Sequence, residues 1–298
     1  AGFVAVIGRP NAGKSTLINS LLGQKIAAVS PRPQTTRQRQ LGIVTLPEAQ
    51  IVFIDTPGIH HAHHTLGRAM NAIAQEALQE ADVIVWIVDV SQPPTDEDEM
   101  IAAQLKAKSV HQPVILALNK IDLLQGDQLA MRQSEFTELL PGLIPIQISA
   151  LSGFGLETLQ QVILQKLPPG EPFYPPEQIT DFYERQIAAD LIREAALENL
   201  RDEVPHALAV RIDEYQEREN QAAFISATLF VEKESQKGIV IGRGGEMLKR
   251  IGARARNSIE EMCGRRVFLE LRVKVSKNWR NNPRVLRQMG YAGIDEDA

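Results

Sequence analysis

Apolar positions along the first 168 residues fall in short continuous runs rather than in strict alternation. The runs are "FVAVIG", "QIVFIDT", "DVIVWIVD", "PVILALNK" and "LIPIQISA". Continuous apolar character suits strands buried on both faces of a parallel sheet. Between them lie stretches with helical spacing, such as Leu66 to Glu80, Asp96 to Ala107 and Ala130 to Leu140. Strands alternating with helices predict a doubly wound α/β layer structure with a mostly parallel sheet. A further run, "QLGIVTL", meets "QIVFID" across a short Pro47-Glu48-Ala49 turn and is expected to pair with it antiparallel.

The pattern then breaks. "LPPGEPFYPPE", between Leu167 and Glu177, holds five prolines and a glycine. Proline removes a backbone donor and fixes φ, so neither a helix nor a central strand continues there. The division expected is an α/β domain over 1–168, a proline-rich linker over 169–180 and a second domain over 181–298. The second region opens with an amphipathic helix from about Asp181 to Asn199, followed by two alternating strands, "HALAVRIDEY" and "AAFISATLFVE". A short apolar lead, a glycine loop and a helix come next in "GIVIGRGGEMLKRIGARARNSIEEMC". A last strand, "RVFLELRVKV", precedes a basic tail with Trp279. This order predicts a smaller α+β domain.

Charge sharpens the contrast between the two regions. From Val231 to Gly290 there are fifteen Lys/Arg against six Asp/Glu, a local +9; since the whole chain carries −5, the remainder carries −14. A basic patch on an acidic body points to a polyanionic partner for the C-terminal region alone. No run approaches the roughly 18 uninterrupted apolar residues of a membrane span. The opening "AGFVAVIG" lacks the basic flank and the apolar length of a secretory signal. Cys263 is the single cysteine, so an internal disulfide framework is excluded. These features predict a soluble protein of a reducing compartment, placed in the cytoplasm, and a monomer is expected.

Candidate chemistry starts at "GRPNAGKST", Gly8 to Thr16. Glycine lets backbone N–H groups converge without a Cβ between them. Convergent amides at a helix N-terminus form an anion-binding nest. Gly8, Asn11, Ala12, Gly13, Lys14, Ser15 and Thr16 are therefore expected to cradle phosphates. Lys14 would reach the β- and γ-phosphates and the Ser15 hydroxyl would meet Mg²⁺. Three later segments fit a nucleotide. In "DTPG", Asp55 ends a strand and can hold Mg²⁺ through water, while Gly58 N–H can meet a γ-phosphate. In "NKID" (Asn119, Lys120, Asp122), the Asp122 carboxylate can accept from guanine N1–H and the 2-amino group, a pair of donors that adenine lacks. In "SAL" (Ser149, Ala150, Leu151), a backbone N–H can reach guanine O6. All three fall at the C-terminal ends of predicted strands, where open α/β sheets bind ligands.

The order GRPNAGKS, TT, DTPG, NKID, SA resembles the P-loop GTPases over residues 1 to about 168. The resemblance implies GTP and GDP as ligands with Mg²⁺, and hydrolysis of GTP carried by Lys14, Asn11 and Thr36. It makes "PQTTRQRQLG" the first switch, in which Thr35 or Thr36 ligates Mg²⁺ and senses the γ-phosphate; Thr36 is favoured. Ras-like enzymes place a water-orienting Gln after D-x-x-G, but Ile59 stands there. Hydrolysis is thus expected to be slow or to depend on another element. By resemblance to GTPases lacking that Gln, Asn11 would help hold K⁺ against the phosphates, giving K⁺-stimulated turnover. His60, His61, His63 and His64 suit either a polar second switch, the favoured reading, or a metal cluster.

"VIGRGGEMLKRIGARAR" resembles the KH-domain signature V-I-G-x-x-G. Its loop, Gly242, Arg243, Gly244 and Gly245, would clamp the backbone of about four nucleotides. Lys249, Arg250, Arg254 and Arg256, joined downstream by Lys274, Lys277 and Arg280, would supply attraction to phosphates. Ile239, Val240, Ile241 and Ile251 would form an apolar floor for the bases. Single-stranded RNA is favoured over DNA. Together the parts resemble the bacterial Era family of GTPases, in the TrmE–Era–EngA-like group, over essentially the whole chain. That resemblance implies binding to the small ribosomal subunit and its RNA near the 3′ end, and a role in maturation of that subunit. It also implies partial peripheral association with the inner membrane. An ATPase is disfavoured by Asp122, and sister GTPases with tandem GTPase units or a C-terminal Cys do not match.

Overall fold

The computed structural model describes residues 1–29, 36–107, 111–217, 222–289 and 291. In the N-terminal part, the elements are β1 (Gly2–Ile7), α1 (Lys14–Leu22), β2 (Gln40–Leu46), β3 (Ala49–Asp55), α2 (Thr65–Glu80) and β4 (Val83–Asp89). There follow α3 (Asp96–Leu105), β5 (Val114–Asn119), α4 (Gln128–Leu139), β6 (Ile146–Gln147) and α5 (Leu156–Lys166). The C-terminal part holds α6 (Glu184–Asn199), β7 (Ala209–Glu217), β8 (Ala223–Val231), α7 (Glu234–Ile241), α8 (Glu246–Cys263), β9 (Val267–Val275) and α9 (Pro283–Gln288). Contacts group the chain into two compact units, one of residues 1–25, 36–62 and 70–181, the other chiefly of residues from 182 onward.

The first unit is built on a six-stranded sheet in the order β2-β3-β1-β4-β5-β6. All neighbours run parallel except β2 and β3, which pair antiparallel from Gln40 with Asp55 to Leu46 with Ala49. The continuous apolar runs are buried as expected: every residue of β4 is inaccessible or nearly so, and Trp86, Phe53 and Phe136 fill the core. Strand order reverses beside β1, so the C-terminal ends of β1, β3, β4 and β5 open on one edge of the sheet. The predicted strand "LIPIQISA" shortens to Ile146–Gln147. Pro145 cannot donate to the ladder, which stops pairing on its N-terminal side.

The proline-rich segment is more ordered than a free tether. Buried Gln50 accepts from Phe173 N–H (2.8 Å) and Tyr174 N–H (3.0 Å) through Oε1, and its Nε2 donates to Tyr174 O (2.8 Å) and Thr45 Oγ1 (3.0 Å). Farther along, Ile43 N–H donates to Ile179 O and Leu41 N–H donates to Asp181 Oδ1, both at 2.8 Å. The segment therefore covers β2, the edge strand of the sheet, and satisfies donors that would otherwise face water. This accounts for the later start of α6. Asp181, expected inside the helix, serves β2 instead, and the helix begins at Glu184.

The second unit packs α6 and α8 against one face of a three-stranded sheet, β7-β8-β9, with β7 and β8 antiparallel and β8 and β9 parallel. Its core gathers Ile187, Leu191 and Ile192 of α6, Ile225 and Leu229 of β8, and Ile251, Ala255 and Ile259 of α8. On α8, the positions 251, 255, 258 and 259 are buried, the i, i+4 spacing of an amphipathic helix. The apolar lead before the glycine loop is helical, as α7.

Replacing Gln50 removes its bonds to the part-buried backbone groups of Phe173 and Tyr174, each worth roughly 0.5 to 1.5 kcal/mol where water can take its place. Gln50→Ala is expected to lower stability by about 2 to 3 kcal/mol in urea unfolding. Chymotrypsin should then cleave at Phe173 or Tyr174 faster than in the unaltered protein.

Candidate nucleotide site and nucleic-acid interface

The loop between β1 and α1 is shaped by close packing. A Cβ on Gly8 would lie 2.3 Å from Ile87 O, and one on Gly13, at φ +105°, would lie 2.2 Å from Asn119 Nδ2. No other residue fits either position without moving backbone or a buried amide. Asn11 adopts a left-handed conformation at φ 63°, which Asn tolerates better than most residues. Lys14, at 6% exposure, folds back over the loop, its Nζ donating to Gly8 O (3.1 Å) and Arg9 O (2.9 Å). Burial is the largest influence on this ammonium and lowers its pKa to about 8, although Asp55 nearby pulls the other way. Two carbonyl oxygens leave this cation under-compensated at the N-terminus of α1, a place suited to an anion.

At the end of α1's first turn, three oxygen groups from three elements converge. Ser15 Oγ donates to Asp55 Oδ2 at 2.8 Å and lies 2.8 Å from Thr36 Oγ1, which donates to the same carboxylate oxygen at 3.3 Å. Two hydroxyls and a carboxylate are hard oxygen donors, the set that suits Mg²⁺. Thr35 lies outside the described residues. Gly58 sits against the phosphate loop, where an added Cβ would lie 2.5 Å from Pro10 N. Ile59 is buried and its N–H donates to Gly8 O (3.2 Å), so its side chain belongs to the core and not to the phosphate side. Among the described residues no group of His, Cys, Asp or Glu is disposed to hold a metal ion, the histidine run included.

At the other end of the loop, Asn119 ties two segments together. Its Nδ2 donates to Ala12 O (2.8 Å) and its Oδ1 accepts from Ala150 N–H (2.9 Å). Ser20 Oγ adds a bond to Ala150 O at 2.6 Å. Lys120 is left-handed at φ 69°, and exposed Asp122 follows in a short 3₁₀ turn. Since Ala150 N–H is engaged by Asn119, a base oxygen at this loop must meet Leu151, which is 82% exposed, or displace Asn119. Thus the structure gathers Gly8 to Thr16, Thr36, Asp55, Gly58, Asn119 to Asp122 and Ser149 to Leu151 along one edge of the sheet.

In the second unit, Gly242 has φ 72° and ψ 172°, a conformation open in practice only to glycine, and a Cβ there would lie 2.7 Å from Met247 Cβ. Gly244 and Gly245 are also at positive φ, with open space around them. The loop leads into α8, and between α8 and β9 runs a groove of about 740 Å³. Gly245, Lys249, Gly252 and Arg256 line one wall, and Arg266, Phe268 and Leu271 line the other. Arg243, Lys249, Arg250, Arg256, Lys274 and Lys277 are exposed. The remaining predicted contacts divide differently. Arg254 turns away to Glu198 of α6 at 2.8 Å, and Arg280 pairs with Glu232 at 2.6 Å. Val240 and Ile251 are fully buried core residues, so they support the groove from beneath and cannot form its surface floor. Ile239 is exposed and Ile241 half-buried. Phe268, 55% exposed on the groove and paired in register with Phe224, was not foreseen; the alternation in "RVFLELRVKV" places it on the solvent-facing side.

The chain matches the model of a family described as 50S ribosome-binding GTPase over residues 3–120 and that of the KH domain over residues 203–280. GTPase Era of Geotalea daltonii is 45% identical over 98% of this chain and 97% of that protein. GTPase Era of Halothermothrix orenii is 46% identical over 98% and 99%. A crystal structure of Era in complex with MgGDPNP and nucleotides 1506–1542 of 16S ribosomal RNA is 42% identical, with a TM-score of 0.92 over 98% of this chain and 99% of that chain. A tyrosine-to-alanine variant of Aquifex aeolicus Era bound to GDP·AlF4⁻ has the same identity, TM-score and coverage. With such likeness along nearly its full length, this chain belongs to the Era family of GTPases, in which a P-loop GTPase domain precedes a C-terminal KH domain.

Proposed function

We propose that the chain is a GTP-driven switch whose KH unit binds single-stranded RNA near the 3′ end of the small-subunit ribosomal RNA, and that it acts in assembly and maturation of that subunit. The observation that carries this reading is the pairing, in one chain, of a phosphate loop closed by a buried lysine with a groove rimmed by glycine, Lys249, Arg256 and an exposed aromatic ring. The broad description of the matched GTPase family refers to the 50S subunit. The small subunit is preferred here because the relative that spans 98% of this chain was crystallised with 16S RNA.

In this reading Gly8, Asn11, Ala12, Gly13, Lys14 and Thr16 receive the phosphates. Ser15, Thr36 and Asp55 hold Mg²⁺, which when bound offsets charge between the β- and γ-phosphates. Gly58 N–H meets the γ-phosphate. Asn119, Lys120, Asp122 and Ser149 to Leu151 frame the guanine. Water positioning does not come from Ile59, which is buried, so hydrolysis draws on Asn11 and a K⁺ ion. The segments at 36–39 and 56–64 change order with the γ-phosphate, and this alters RNA affinity of the KH unit. The domains are assigned as 1–168, the segment 169–180 and 181–298. Among the described residues no helix is long and apolar enough to cross a membrane. A cytoplasmic monomer is proposed, with peripheral association at the inner membrane as its one membrane contact.

Two outcomes test these assignments. Turnover of GTP should be several-fold faster in KCl than in NaCl at equal ionic strength; equal rates remove the K⁺ role. Gly244→Asp keeps a backbone conformation that Asp tolerates but sets a negative charge where RNA phosphates would lie. It should weaken binding of a 16S 3′-end oligonucleotide by at least about tenfold, since one buried charge conflict costs more than 1.4 kcal/mol. GDP affinity should be unchanged. RNA binding at the unaltered strength would remove the loop from the interface.

A further inference from the structure

One carboxylate outside the nucleotide-binding motifs joins their two halves. Asp89 ends β4, directly beside Asn119 in the strand register. Its Oδ2 accepts from Lys120 Nζ at 2.6 Å and lies 3.5 Å from the guanidinium of Arg9, the second residue of the phosphate loop. Its Oδ1 accepts from Ser91 N–H (3.1 Å) and Ser91 Oγ (2.6 Å). Arg9 is held on its other side by Asp98, 3.3 Å from Nε and wholly buried. Asp98 is itself fixed by Thr95, whose N–H and hydroxyl both donate to its Oδ2. Burial pushes the Asp89 carboxyl up, but the hydrogen bonds from Lys120 and Ser91 outweigh it and hold the group below the usual carboxylate range. It is therefore charged at neutral pH.

Lys120 needs such an anchor. It occupies a left-handed conformation that a long side chain rarely adopts, and the chain turns through it directly into Asp122. We infer that Asp89 is a positioning residue for base recognition. By holding Lys120, it fixes the turn that aims Asp122, and by sharing the same oxygen with Arg9 it locks that turn to the phosphate loop. This rests on the reading of Asp122 as the carboxylate that meets guanine. Asp89 itself contacts no part of the nucleotide in this scheme. Its loss should therefore show as blurred discrimination between bases, which a general loosening of the fold would not produce.

The test compares GDP with IDP, whose hypoxanthine keeps N1–H but lacks the 2-amino donor. Affinities are read by displacement of a fluorescent GDP analogue from the full chain with Mg²⁺ present. Asp89→Asn keeps the shape and removes the charge. It should weaken GDP by at least about tenfold, the scale of one hydrogen bond to a charged group, and lower the GDP-over-IDP preference by about threefold or more. Asp89→Glu should recover part of that preference. Ser91→Ala, which removes the shorter of the two bonds to Oδ1 and keeps the backbone N–H bond, should lower the preference in the same direction by a smaller factor. A folded Asp89→Asn protein with undiminished preference overturns the inference. Should that variant not fold, undiminished preference in Ser91→Ala overturns it instead. No preference for GDP in the unaltered protein would remove both the Asp122 reading and this inference.

Discussion

Everything at the nucleotide site turns on a lysine ammonium buried in its own loop. Lys14 has lost most of its water, and in exchange it has two carbonyl oxygens and the nearby Asp55 carboxylate. These partners are too few to restore the cost of desolvation, and so its pKa falls to about 8. A group whose folded pKa lies below its unfolded value weakens the fold while it is charged. That penalty is present below about pH 8 and disappears as pH rises toward the unfolded value of 10.5. In the proposed reading, a bound polyphosphate supplies the charge this cation lacks. Close packing also requires the glycines at 8 and 13, since any side chain there would collide with Ile87 or Asn119.

Around that cation the sheet edge acts as one frame. Asn119 joins the phosphate loop to the Ala150 loop, Asp89 joins it to Lys120, and Ser15, Thr36 and Asp55 join it to the residues before β2 and to β3. None of these bonds is strong alone. Because they share partners, a shift in one of these loops is felt in the others. The cover over β2 extends this frame: β2 begins four residues after Thr36, and Leu41 and Ile43 hold the segment at 179–181 through backbone and carboxylate bonds.

Much of this was legible in the sequence. Continuous apolar runs announced the parallel sheet, and glycine spacing announced both loops, because those signals are local. The parts that were missed depend on distant partners. Nothing in "QIVFID" or "QITDFY" indicates that Gln50 will cap Phe173 and Tyr174, or that Asp181 will leave a helix to serve β2. Asp89 looks like an ordinary strand-ending residue until Arg9 and Lys120 are seen converging on it. Likewise, charge counting credited Arg254 and Arg280 to the RNA surface, whereas each is paired with a glutamate of its own unit. Val240, expected to floor the groove, is buried because α7 turns one side of "GIVI" into the core, whereas Phe268 stands exposed on β9.

The central claim, that the loop holds Lys14 for a polyphosphate, is tested most directly by calorimetry of GDP binding near pH 9 in Mg²⁺ and in several buffers of different ionisation enthalpy. Free Lys14 is mostly neutral at that pH, and phosphate contact restores its proton. The account predicts uptake approaching one proton per nucleotide, lost in Lys14→Met and absent at pH 6. An observed enthalpy that is the same in every buffer at pH 9 would contradict it.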